Sequence, residues 1–188
     1  VLDSRGRPTV KAACVLQSGA VGQASVPSGA TPGASPGLAE AHELRDGDLT
    51  RYDGLGCRRA AAHLNETLNR ALAGESFSSQ QDWDLALIAL DGSADKSRLG
   101  ANTLLAASLA FARAVALENG KPLFAHFADI ADTAARLPRP LINLFSGGKH
   151  NGAHVPVQDV FVVPLSVTTI DECLSMMSAI YRSAAGLT

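Results

Sequence analysis

The chain has 188 residues, enough for one domain or a small domain with part of another, and 46% of them are apolar, so a core can be buried. A formal net charge of -2 excludes an overall positive field that would draw it to nucleic acid or to an anionic membrane. Cys14, Cys57 and Cys173 are odd in number, far apart and without a CxxC pair, which excludes a disulfide framework or zinc knuckle and fits a reducing cytoplasm.

The opening VLDSRGRPTV lacks the basic-then-apolar layout of a signal peptide. Residues 9–17 (TVKAACVLQ) are β-leaning, Ser18-Gly19 supplies a turn and residues 20–26 follow as a second strand, which predicts an antiparallel hairpin. Residues 27–37, rich in Gly, Pro, Ser and Thr, are predicted as loop. Residues 56–73 place Ala61, Leu64, Leu68 and Leu72 on one helical stripe. The next helix is expected to open at Ser78, with Gln81 completing a capping box, and to end at Asp91-Gly92. Residues 101–118 carry a strong helical pattern stopped by Asn119-Gly120, and their many alanines imply close packing against a sheet or helix. The apolar run 104–117 within it is broken by Arg113 and reads as too short for a bilayer. A further helix is expected over 122–132. Leu137-Pro138-Arg139-Pro140 is a stiff connector and the expected domain boundary. Beyond it come a strand (141–145), a Gly-rich loop (146–153), a strand (157–164) and a helix (170–185). A βα-barrel takes about 250 residues, so the second unit, 137–188, is read as incomplete.

Three stretches can carry chemistry. VPSGATPGASPG (26–37) repeats a four-residue unit, GATP then GASP. It fits neither GxxxxGK[ST] nor GxGxxG, but its glycines allow close backbone approach and Thr31 and Ser35 offer hydroxyls to a hard cation such as Mg²⁺; a plain surface loop is the bland alternative. EAHELRDGD (40–48) groups acids with Arg45, as an ion-pair network or, on local grounds preferably, a solvated charged turn. GGKHNGAHVPVQD (147–159) holds His150 and His154 at i, i+4, but Gly152 and Pro156 argue against a helix and no HExxH glutamate is present, so zinc is disfavoured. As a loop after a strand, it could bring Lys149 and His150 to an anionic substrate and use Asp159 as a metal ligand or proton-transfer group. The cysteines read as small core residues, Trp83 as core or interface, and Asp82 and Asp84 as first-turn acids suited to the helix dipole.

Together, LDSRGRPTV (2–10), VPSGA (26–30), EAHELRDGD (40–48), RYDGLG (51–56), LDGSADKSRLGAN (90–102), LPRPLINLFSGGKH (137–150) and QD (158–159) resemble enolase in order and spacing over nearly the whole chain. The resemblance implies an α+β N-terminal cap domain over 1–136, a three-stranded sheet with helices, followed over 137–188 by the first ββα part of an enolase-type α/β barrel. It implies a cytoplasmic homodimeric lyase that dehydrates 2-phosphoglycerate to phosphoenolpyruvate in glycolysis, with two Mg²⁺ ions per complete site, a lysine base and a carboxylate that helps hydroxide depart. No membrane or direct nucleic-acid partner is expected.

The resemblance also assigns residues. A lid loop with a metal-binding hydroxyl maps onto Gly29, Ala30, Gly33 and Ala34 for substrate contact and onto Ser35 or Thr31 for Mg²⁺; counting from the two flanking motifs gives different answers, so the loop is four residues longer than usual, and Ser35 is preferred. His150, Lys149 and Gln158 are expected at the substrate, and His150 and Asp159 in catalysis. Asp159 stands where the family has a Glu, and Ser146, Asn151, Ala153, Val160 and Lys11 are further departures, most of them around the substrate loop. The family's three metal carboxylates, base lysine, second lysine and phosphate-binding arginine belong to later barrel strands, so these 188 residues are expected to supply a lid and one wall of a site and to be inactive alone. A divergent enzyme acting on another phosphorylated or phosphonylated acid, and a non-catalytic binding module built from the cap domain, are the competing expectations.

Overall fold

The computed structural model describes residues 1–28, 41–147 and 157–186. They fall into two compact units, Val1–Ala135 and Arg136–Thr188.

In the first unit, β1 (Val10–Val15) and β2 (Val21–Val26) pair antiparallel with Val10 opposite Val26, Ala12 opposite Ala24 and Cys14 opposite Gly22. Because side chains alternate along a strand, this register buries Val10, Ala12, Ala24 and Val26 while Lys11, Gln23 and Ser25 stay outside. α4 (Ala101–Glu118) lies across the buried face. Its alanines let it come close, as their frequency implied: Ala106, Ala110 and Ala114 are fully buried. The approach is tight enough that a Cβ on Gly22 would sit 2.1 Å from the Ala110 carbonyl oxygen and 2.2 Å from the Ala114 nitrogen. α4 meets the length and composition of a membrane span, for which its inner run 104–117 reads as too short, but more than half of it is buried inside the unit, as in a core helix.

The other side of α4 packs on the stretch after the hairpin. A 3₁₀ turn (Tyr52–Gly54) leads into α1 (Arg58–Ala62), a π-helical stretch (His63–Leu68) and α2 (Asn69–Leu72). The expected stripe is shifted by one residue at its start: Ala60, not Ala61, is the buried alanine. A π turn takes more residues per revolution than an α turn, so the steps of four from Ala60 through Leu64 and Leu68 to Leu72 stay on the inner face. α3 (Gln80–Asp91) starts one residue later than expected, because Ser79, not Ser78, is extended there and accepts the Asp82 N–H (3.0 Å). It ends as expected, with Gly92 in the left-handed conformation. Trp83 of α3 stacks on Phe111 of α4 with ring centroids 4.8 Å apart, and Phe77 meets Trp83 edge-on at 5.0 Å. α5 (Leu123–Ile130) is shorter than the expected 122–132: Pro122 is its N-cap and Asp132, at φ 48, lies beyond its end.

A third strand in this sheet is absent among the described residues. The segment after residue 40 is where the backbone satisfies itself otherwise. The Leu44 N–H donates to Asn102 Oδ1 (3.0 Å) and Asn102 Nδ2 donates to the Leu44 carbonyl (3.2 Å), so one buried side-chain amide takes the place of a neighbouring strand. The Asp46 and Gly47 amides donate to the Gly56 and Gly54 carbonyls.

In the second unit, β3 (Ile142–Ser146) and β4 (Asp159–Val162) pair antiparallel, and α6 (Ile170–Ala185) packs on β3. β4 is shorter than the expected 157–164. α6 opens with a full capping box, the Thr169 hydroxyl on the Glu172 amide and the Glu172 carboxylate on the Thr169 amide. Arg139 Nη1 donates to the carbonyls of Pro164 (3.1 Å) and Leu165 (3.2 Å), tying the start of the unit to the chain after β4.

Candidate active site

Asp159 opens β4 directly opposite Ser146 at the end of β3. Its Oδ1 accepts from Asn143 Nδ2 (2.7 Å) and from the Ser146 hydroxyl (2.9 Å). Strand alternation alone would put positions 143 and 146 on opposite faces. The pairing skips Leu144, and this bulge between Asn143 and Phe145 turns both side chains onto the same carboxylate. Among the described residues both bonds land on Oδ1, which holds the rotamer. Gln158 is exposed just before β4, and its carbonyl accepts the Gly147 N–H (2.7 Å), which closes the base of the loop that leads from β3 to β4. Lys149 and His150, expected at the substrate, lie outside the described residues.

On the first unit, Gly29, Ala30, Thr31, Gly33, Ala34 and Ser35 lie outside the described residues as well; the chain to either side of them is described. The Ser28 hydroxyl donates to Glu43 Oε2 (3.2 Å), and Arg45 Nη2 donates to the same oxygen (2.5 Å). Arg45 Nη1 reaches the carbonyls of Pro8 (2.7 Å) and Leu55 (3.0 Å) and the Cys57 sulfur (2.9 Å). So EAHELRDGD is not the solvated turn preferred from its sequence: Arg45, 17% exposed, ties three separated segments to the entry and exit of residues 29–40. Burial pushes the Cys57 thiol up despite the Arg45 charge. Asp46 adds a cap at a distance, its two oxygens accepting the Arg58 and Arg59 amides (both 3.0 Å) at the start of α1. Arg45 and Asp46 act through neighbours distant in sequence, a signal that local reading of a charged run cannot carry. Asn143 was missed for the same reason, since it gains its role only through the bulge.

LDGSADKSRLGAN is likewise a scaffold loop. Asp91 is 1% exposed. Its Oδ1 accepts the Ser93 hydroxyl and amide and its Oδ2 the Leu99 amide (2.8 Å). Burial pushes its carboxyl up, but the Ser93 and Leu99 bonds and the Lys96 charge together hold it below the ordinary aspartate value. LDSRGRPTV is a tight turn in which Asp3 Oδ1 accepts the Arg5 (2.8 Å) and Arg7 (2.9 Å) amides.

Mg²⁺ needs several oxygen ligands, usually carboxylates. Among the described residues no group of three or more His, Cys, Asp or Glu side chains can hold a metal. Asp159 is a single carboxylate with one oxygen committed to Asn143 and Ser146. The described residues therefore do not by themselves fit a Mg²⁺ site.

Comparison with known families matches residues 1–127 to the enolase N-terminal domain and residues 134–188 to the enolase C-terminal TIM barrel domain. The chain belongs to the enolase family. Its motifs divide accordingly: the stretches of the N-terminal match that carry the likeness (LDSRG, ELRDGD, LDGSADKSRLGAN) are the turns, caps and buried loops of the first unit, and Asp159 stands at the sheet of the second. Enolase domains place the chain with lyases.

Proposed function

We propose that the polypeptide this chain belongs to is a hydro-lyase that dehydrates 2-phosphoglycerate to phosphoenolpyruvate, working in the cytoplasm as a homodimer with two Mg²⁺ ions per site. The observation that carries it is the family match over both units, joined to a carboxylate held by two hydrogen bonds at the base of the β3–β4 loop. In the elimination, the proton on C2 goes to a base, the C2–H pair becomes the C2–C3 double bond, and the C3 hydroxide leaves. Asp159, acting as the general acid, gives that hydroxide a proton so that water departs. A positioned general acid contributes about 10²- to 10⁴-fold. Asn143 and Ser146 keep the acid in one rotamer; the lid residues 29–37, with Ser35 or Thr31 as metal ligand, and Lys149, His150 and Gln158 bind the substrate.

A second reading is favoured by the same geometry. Asp is one methylene shorter than the family's Glu, and its partner Ser146 stands where the family has Asn. The pair sets the carboxylate back toward β3, which suits a bulkier or differently branched phosphorylated or phosphonylated acid. The test is turnover by the complete polypeptide, followed by the absorbance of the enol product. Asp159→Asn should lower kcat about a hundredfold or more with KM within a few-fold, and Asp159→Glu should keep or raise activity on 2-phosphoglycerate. Absence of wild-type turnover of 2-phosphoglycerate would reject the first reading; recovery on Asp159→Glu would show that the short acid had redirected the site.

A further inference from the structure

The chain after α5 runs without regular structure. Residues 131–139 are all exposed, and 134–140 belong to no helix, strand or turn. Among the described residues, none of the amides of 134–140 donates to a backbone carbonyl. Arg136 lies inside this stretch and is followed by Leu137-Pro138-Arg139-Pro140. Each proline fixes its own φ and turns the residue before it toward an extended form. Exposed backbone without hydrogen bonds is where proteolytic nicking concentrates, and an extended peptide is what pairs with the edge of a binding cleft.

The other described basic residues are shielded from such an attack. Arg7, Lys121 and Arg139 each precede a proline, whose ring obstructs cleavage at that bond. Arg58, Arg59, Arg70, Arg113 and Arg182 lie inside helices and Lys11 inside β1. Arg45 is held in its clasp of carbonyls. The backbone at the remaining four is pinned. The Gly6 amide after Arg5 donates to the Asp3 carbonyl, and the Arg51 amide donates to that of Asp48. The Lys96 carbonyl accepts the Gly100 amide, and the Leu99 amide after Arg98 donates to Asp91 Oδ2.

We propose that the Arg136–Leu137 bond is a processing site for an arginine-specific serine endopeptidase, and that the cut frees the first unit as a folded domain. The step is a hydrolysis. Water gives its hydroxyl to the Arg136 carbonyl carbon and its proton to the Leu137 nitrogen as the C–N bond breaks. The first unit keeps its core, because every residue of its two buried clusters lies between Val10 and Ala110. Its last helix, α5, ends at Ile130, before the cut. The site shares no residue with the candidate active site, so it stands whether or not the proposed reaction does.

The probe is trypsin in limiting amount, added to the 188-residue chain, with fragments followed in time by mass spectrometry. A cut inside an element waits for local opening, whereas this one does not. The first cut is therefore expected after Arg136, giving 1–136 and 137–188 about tenfold or more faster than any other. Leu137→Pro keeps the charge and alters an exposed side chain, but places the bond before a proline, so the cut should vanish. The urea transition of the 1–136 fragment, read by Trp83, should match that of the uncut chain. A first cut elsewhere overturns the proposal, Lys149 outside the described residues included. So does persistence of the two fragments in Leu137→Pro, or loss of the Trp83 transition on cleavage.

Discussion

Gly22→Ala tests the packing on which the first unit rests. Gly22 is not at a positive φ, so a Cβ there costs nothing in backbone conformation and its whole effect is steric. The added carbon would lie 2.1 Å from the Ala110 carbonyl oxygen, whereas real contacts stay above 3.0 Å, so α4 must withdraw from β2 by about 0.9 Å. A radial gap of about 0.5–1 Å forfeits roughly a quarter to a half of each dispersion contact across the face, and overpacked cores lose about 1–3 kcal/mol. Against this, Gly→Ala stabilises by about 0.4–1 kcal/mol through the unfolded chain. A net loss of about 2 kcal/mol is expected, or roughly 4–8 °C in Tm for a chain of this size. Urea unfolding followed by Trp83, the single tryptophan, reads it directly, because Trp83 stacks on α4 itself. Gly19→Ala is the control: its φ is +89 with open space around it, so it reports left-handed strain alone, about 1 kcal/mol. If Gly22→Ala unfolds within about 0.5 kcal/mol of the parent, the sheet-to-helix spacing is not set by this glycine and the reasoning fails.

Asn102→Ala should cost about 2–4 kcal/mol, since it leaves the buried Leu44 N–H and carbonyl unpaired at about 1–3 kcal/mol each; hydrogen exchange at the Leu44 amide should accelerate, and unchanged protection would refute the strand-mimic role. Acid should destabilise the first unit. The native carboxyl of Asp91 sits below its ordinary value, so its stabilisation is complete above that value and is lost as pH falls through the lowered one, below about pH 4. Asp91→Asn should therefore be most destabilising near neutral pH, by about 2 kcal/mol, and the gap to the parent should close in acid; a gap independent of pH would refute the assignment.

The hairpin, the end of α3 and the whole of α4 were legible because each rests on local signals: β-leaning runs around a Ser-Gly turn, a Gly in the left-handed stop, an Ala-rich helical pattern; α6 was read as a helix, and its Thr169–Glu172 capping box came only with the structure. What sequence could not show depends on distant partners. The third strand was expected from the family likeness; among the described residues the sheet holds two strands, and the backbone of Leu44 is bonded to Asn102, 58 residues on. Ser78 and Ser79 are equal candidates for a cap until the backbone chooses one. Asp159 was legible as a candidate proton-transfer acid at a strand end, and family likeness gave it a catalytic place, but its support by Asn143 depends on a bulge that no alternation pattern announces. The metal and lid assignments, Ser35, Thr31 and the glycines and alanines beside them, stay at the level of that likeness.

The cover for the hairpin comes late in the chain. About ninety residues separate the end of β2 from the end of α4. At the pace of translation, about 5–20 residues per second, the nascent hairpin waits roughly 5–20 s with Val10, Ala12, Ala24 and Val26 facing water and both strand edges open. Until α4 is made, that surface can pair only with other chains or with a chaperone. The yield of soluble protein should thus respond to the speed of synthesis between residues 27 and 118 more than to anything at the candidate active site.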